Sequence, residues 1–137
     1  MVRAQVKITA DTNVLIRAAV RDDPRQARAA ARLLKEAELI AVPLPCLCEF
    51  VWVLRRLYRF EREEIAAAIR ALLATAHVAV NRPAAEAGLA MLEAGGDFAD
   101  GAIAFEGDWL GGNIFASFDE EAVNLLAEQG RRTRLLR

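Results

Sequence analysis

Short apolar runs alternate with longer amphipathic stretches along the whole chain. Val6-Lys7-Ile8-Thr9-Ala10 alternates residue by residue and halts at Asp11, the pattern of a short strand entering a turn. Asn13 to Val20 then predicts a short helix. Asp22-Asp23-Pro24 stops it and starts another, because Asp23 suits an N-cap and Pro24 the first helical position. That helix is expected from Arg25 to Glu38, with Ala27, Ala31, Leu34 and Ala37 on one side. Leu39-Ile40-Ala41-Val42, closed by Pro43, predicts a strand. Helices should follow from Pro45 to about Tyr58 and from Glu61 to Ala74, the latter with Ile65, Ile69 and Leu72 inward.

The second half repeats the scheme. His77-Val78-Ala79-Val80 predicts a third strand. Pro83 to Ala94 and Phe98 to about Glu106 predict helices separated by Gly95-Gly96. Gly111-Gly112 opens a turn before a strand over Ile114-Phe115-Ala116-Ser117. Asp119 then starts a helix to Gln129, ended by Gly130, and a last short strand falls around Arg134-Leu135-Leu136. Apolar strands alternating with helices imply the α/β class, a parallel sheet covered on both faces.

The 137 residues fit one domain spanning 1–137. With 55% hydrophobic and 27% charged residues, disorder is excluded. No apolar stretch approaches 18 uncharged residues, so no membrane span is expected. Met1-Val2-Arg3-Ala4-Gln5-Val6-Lys7 lacks the long apolar segment of a secretory leader. Cys46 and Cys48 are too close to staple distant segments, and a reducing cytoplasm fits them best.

Charge is uneven beneath a net −1. Residues 1–82 carry 14 bases and 9 acids, residues 83–130 carry 10 acids and no base, and the tail returns four arginines. A nearly neutral chain is a poor general coat for nucleic acid. It can still bind a polyanion locally where a basic rim surrounds an acidic pocket holding cations.

Several acids resist a pure packing account. Asp11 and Asp119 each end an expected strand, where ligands bind in open parallel sheets, although each also suits a helix N-cap. Glu49 is the only charged residue from Leu39 to Leu54. An ionised carboxylate in such surroundings is costly unless paired or bound to a cation, the other reading being that it faces a groove or pairs with a distant Arg. Asp97 suits an N-cap, and Asp100 then points from the first turn of a mainly apolar helix. Gathered in one pocket, such carboxylates would repel one another. Mg²⁺ or Mn²⁺ resolves that conflict through hard oxygen ligands. His77 is the only histidine, and Cys46-Leu47-Cys48 has no second cysteine pair, so zinc and nucleophilic triads are not expected. Carboxylate-bound Mg²⁺ suits phosphoryl chemistry, in which the ion acidifies a water and neutralises the scissile phosphate.

This constellation resembles the PIN-domain nucleases, most closely the VapC-type toxins of bacterial toxin–antitoxin pairs. The matching pieces are Asp11-Thr12-Asn13-Val14-Leu15-Ile16 after the first strand, and Glu49 early in a mid-chain helix. The later pieces are Asp97-Phe98-Ala99-Asp100-Gly101-Ala102-Ile103-Ala104 and Ala116-Ser117-Phe118-Asp119. The resemblance implies a three-layer α/β/α sandwich with a short parallel sheet. It further implies Mg²⁺- or Mn²⁺-dependent cleavage of single-stranded RNA, homodimers, and a small VapB-like antitoxin that blocks the site. Carried onto this chain, the metal-binding acids are Asp11, Glu49, Asp100 and Asp119. Asp97 is an accessory acid, and Asn13 and Ser117 orient the others. Gly101 departs from the family pattern, where a better helix former is usual, and so do Glu120 and Glu121, where a base is common.

RNA would need cations beyond the metal. Arg25, Arg28 and Arg32 share a helix face, Arg17 and Arg21 share another, and Arg55, Arg56, Arg59 and Arg62 cluster after Glu49, although most of these suit a solvated surface equally. Phe50, Trp52 and Tyr58 are candidate stacking platforms, or core and dimer contacts. Two other readings stand beside the nuclease. One is a non-catalytic PIN-like interaction module. The other is a different Mg²⁺-dependent phosphohydrolase, whose pattern wants a second Asp where Asn13 stands and a lysine at a strand end, where neither Lys7 nor Lys35 falls.

Overall fold

The computed structural model describes residues 6–137. The leader reading of Met1 to Gln5 lies outside the described residues. The chain divides into two compact units, one ending at Asn81 and the other running from Arg82 to Arg137.

In the first unit, β1 (Lys7–Thr9), β2 (Leu39–Ala41) and β3 (Val78–Ala79) form a parallel sheet in the order β1-β2-β3. Ile8 lies beside Ile40, and Ile40 beside Val78. The helices are α1 (Thr12–Val20), α2 (Pro24–Glu36), α3 (Leu44–Arg56) and α4 (Arg62–Ala74). Asp23 caps α2 as expected, its carboxylate accepting the Gln26 N–H, with Pro24 at the helix start. The helix ends at Glu36, two residues early, because Ala37 turns to extended backbone and the Glu38 N–H donates to the Val6 carbonyl. Glu61 and Glu64 form a reciprocal capping box at the start of α4. Ile40, Leu47, Leu54, Ile65 and Ile69 are fully buried and make the centre of this core. Leu72, expected inward, is half-buried, and Leu73 takes the buried position.

The second unit contains α5 (Arg82–Glu93), α6 (Phe98–Trp109), β4 (Phe115–Ser117), α7 (Glu120–Glu128) and β5 (Thr133–Leu135). β4 and β5 pair in parallel, Ala116 opposite Arg134. The expected single sheet is thus seen as two hydrogen-bonded ladders, one in each unit. Met91, Ala104, Ala122 and Leu126 form the core, with Phe115 and Leu125 packed on it.

Two glycines decide how closely α5 and α6 approach. A Cβ at Gly88 would stand 2.6 Å from the Phe98 ring. One at Gly101 would collide with the Ala87 carbonyl and stand 2.7 Å from the Met91 Cβ. Gly101, unusual as a helix residue, is there because the neighbouring backbone leaves no room for a side chain. α6 also runs to Trp109, three residues beyond the expected end.

Among the described residues, seven helices and short parallel strands make a mixed α/β architecture, consistent with the three-layer α/β/α fold expected from the sequence. Among the described residues no helix is long and apolar enough to cross a membrane.

Candidate active site

In the first unit the carboxyl ends of β1 and β2 lie side by side. The Ala10 N–H donates to the Ala41 carbonyl at 2.9 Å, holding register up to the residue before Asp11. Asp11 occupies the N-cap position of α1 (φ −75°, ψ 155°), but its carboxylate makes no capping bond. Its backbone carbonyl accepts the Val14 N–H at 3.0 Å. The exposed carboxylate is therefore not consumed by the helix. Asn13 is exposed beside it, and Thr12 between them is buried, 6% exposed. Sequence reading passed over Thr12, whose only signal was its place between two candidate residues.

α3 begins just past the end of β2 and carries Glu49 in its second turn. The side chain is exposed, so the expectation of a carboxylate in apolar surroundings is corrected. Its neighbours are apolar because α3 buries Leu47, Phe50, Val51 and Leu54 along one face, while Glu49 lies on the other. Burial of Phe50 also removes it as a stacking platform. Trp52 is 56% exposed.

Arg17, expected as an RNA cation, instead donates to Asp22 at 2.8 Å, and the Tyr58 hydroxyl donates to the second Asp22 oxygen at 2.9 Å. Both Asp22 oxygens are thereby engaged, and its carboxyl sits below the usual range, first through Tyr58 and then through Arg17. This is a structural clasp between the α1–α2 turn and the residues just after α3. His77, expected in a strand, sits exposed in the preceding turn at φ 67°.

The second unit gathers three of the candidate acids. Asp97 caps α6, accepting the Ala99 N–H at 3.2 Å. Asp119, just past β4, caps α7, accepting the Ala122 N–H at 3.2 Å. Its own N–H donates to the Ser117 hydroxyl oxygen at 3.0 Å, so Ser117 fixes the turn that presents Asp119. Asp100 lies half-buried in the first turn of α6. Its carboxyl is raised above the usual value, chiefly by burial, then by the charges of Asp97 and Asp119. A helix N-terminus favours an anion, yet here burial and two like charges outweigh it.

The donors are hard oxygens, and residues 83–130 contain no base to neutralise them. That set fits a divalent cation such as Mg²⁺ or Mn²⁺. Among the described residues, neither unit closes three or more His, Cys, Asp or Glu side chains into a ready-made ligand cage. Mg²⁺ retains several waters and does not require one. Cys46 and Cys48 are free and half-buried.

The profile of the PIN domain family matches residues 8–125. The chain belongs to the PIN domain family. PIN domains are typically nucleases that work with Mg²⁺ or Mn²⁺ and act on RNA, which supports a hydrolase of the nuclease kind. No curated protein matches this PIN domain by sequence.

Proposed function

We propose that this PIN domain is a Mg²⁺- or Mn²⁺-dependent endoribonuclease that cleaves single-stranded RNA and serves as the toxin of a VapC-type toxin–antitoxin pair. The observation that carries the reading is Asp100, a half-buried carboxyl in the first turn of α6 that feels the charges of Asp97 and Asp119, with no base in residues 83–130. Asp11, Glu49, Asp100 and Asp119 would hold the metal. Asp97 is an accessory acid, Asn13 an orienting side chain, and Ser117 holds the Asp119 turn. The match spans residues of both units, which supports one domain over 1–137.

A bound divalent ion supplies charge neutralisation of the scissile phosphate and a water acidified for in-line attack. The chain's own residues do the positioning. Asp119 enters with its turn already fixed by Ser117 and by its bond to α7. Asp11 offers a carboxylate not committed to its helix. Asp100 is the acid with most to gain from a cation, because its ionised form is the one its surroundings disfavour.

The first unit supports an antitoxin site as well. A cavity of about 710 Å³ there is lined by Leu15, Ala18, Leu34, Phe50, Ala68 and Leu72, among others. Its many alanines leave depth for the larger apolar side chains of a VapB-like helix. For the homodimer, Ile103 and Trp109 of α6 and Leu110 just after it leave apolar surface exposed. Two free cysteines agree with a cytoplasmic protein.

The test is cleavage of single-stranded RNA by purified protein with Mn²⁺ or with EDTA, repeated with Asp100→Asn. Metal-dependent cleavage that Asp100→Asn abolishes, with cooperative melting retained, supports the reading. RNA left intact in Mn²⁺ would leave the interaction module in its place, and hydrolysis of small phosphomonoesters alone would point to a phosphohydrolase. Growth arrest on expression, relieved by Asp11→Ala and Asp119→Ala, tests the toxin role.

A further inference from the structure

The outer face of α3 carries a stripe that packing does not use. Glu49, Trp52 and Arg56 are spaced three and four apart, which places them in a row on one side of a helix. All three are exposed, and the opposite side holds the buried Leu47, Phe50, Val51 and Leu54. An exposed tryptophan in that row leaves costly apolar area in water. Arg55 and Arg59 flank it, both exposed. Among the described residues no carboxylate stands within ion-pair distance of Arg55, Arg56 or Arg59, whereas Arg17 is held by Asp22.

An aromatic face flanked by unpaired guanidinium groups is the combination that holds single-stranded nucleic acid: bases stack on the ring while cations track the phosphates. We propose that α3 is a single-stranded RNA track, in which Trp52 stacks on one base and Arg56 takes a phosphate of the same strand. The strand then passes along α3 toward Glu49, one turn away. Trp52 is thus a positioning and specificity residue for the cleavage proposed above, and the inference rests on that reading for its purpose but not for its binding. Residues 55–62 carry four arginines and a single acid, a charge complementary to a phosphate backbone, and the ring beside them gives bases a stacking face that an acidic protein surface would not use.

The experiment measures binding of a labelled single-stranded oligouridine to the full chain in EDTA, where turnover is blocked. Trp52→Ala should weaken binding roughly tenfold, and Trp52→Phe should recover most of it, because phenylalanine keeps a stacking face. Arg56→Ala should lower the salt dependence by about one phosphate contact. Intrinsic tryptophan fluorescence should be quenched by the RNA in the unaltered protein and far less in Trp52→Phe. Unchanged binding by Trp52→Ala overturns the proposal. So does a fall from dimer to monomer in that variant, which would assign Trp52 to a second copy. RNA held through Trp52 but not cleaved in Mn²⁺ defeats the nuclease reading and leaves the track standing. RNA cleaved and bound equally well by Trp52→Ala defeats the track alone.

Discussion

Asp22 and Asp100 are both carboxylates beside other charged or polar groups, yet their surroundings act in opposite directions. Asp22 has a guanidinium on one oxygen and a phenol on the other, and its ionised form is favoured. Asp100 has burial and two more carboxylates, and its ionised form is disfavoured. A cluster that brings its own counter-charge is complete as it stands. One that lacks it would be relieved by a cation from outside the chain. This difference separates a structural clasp from a candidate metal centre better than exposure does.

The largest effect should come from exchanging the charge in each cluster. Asp100→Asn should lower Mn²⁺-dependent RNA cleavage by more than about a hundredfold, since even residues supporting a metal ligand are worth 10–100-fold. Asp22→Asn should leave the cleavage rate unchanged. Equal losses in both variants would erase the distinction drawn here.

Next comes the support beneath Asp100. Gly101→Ala should destabilise the fold by about 1–3 kcal/mol in urea unfolding, because the added methyl meets the α5 backbone. Gly107→Ala on the same helix has open space and should stabilise by about 0.5–1 kcal/mol. A Gly101→Ala protein as stable as its parent would show that α6 can shift.

A smaller effect concerns metal-free stability. The Asp100 pKa is raised in the fold, so its ionised form opposes folding at neutral pH, and that opposition fades as pH falls through the raised value. Asp100→Asn without metal should therefore melt slightly higher than the parent at pH 7, by less than about 1 kcal/mol after solvent screening. The difference should vanish in acid. A melting point lowered by Asp100→Asn at neutral pH would contradict the sign.

Smallest is the clasp itself. The lowered Asp22 pKa contributes stability above the ordinary carboxylate range and loses it as pH falls through the lowered value. Tyr58→Phe should lower the melting temperature slightly at neutral pH and not at all in strong acid. An identical drop at both would assign the effect to packing.

The elements were legible in the sequence because their signals are local. Asp23-Pro24, Gly95-Gly96 and Gly130 punctuate the chain at their own positions, and observed boundaries fall within a few residues of them. The Asp97, Asp100 and Asp119 grouping was legible as a motif, though not the electrostatic cost that Asp100 bears. Between the two readings of Glu49 the structure favours the outward one, because an apolar run does not reveal which side of a helix faces water. The Tyr58–Asp22 bond joins residues 36 apart and leaves no trace in local pattern. The packing reason for Gly101 lies on the neighbouring helix, in the Ala87 carbonyl, and local pattern does not show it either.

The interlock of Gly88 with Phe98 and of Gly101 with Ala87 also bears on how the second unit opens. Two helices locked by a ring seated over Gly88 and by a backbone carbonyl against Gly101 have little freedom to separate in part, so α5 and α6 should come apart as one cooperative piece. Their backbone amides would then be among the slowest in this unit to exchange with deuterium. Asp100, the carboxylate proposed to meet a cation, thus rides on a stiff strut, and a metal would find it already aimed.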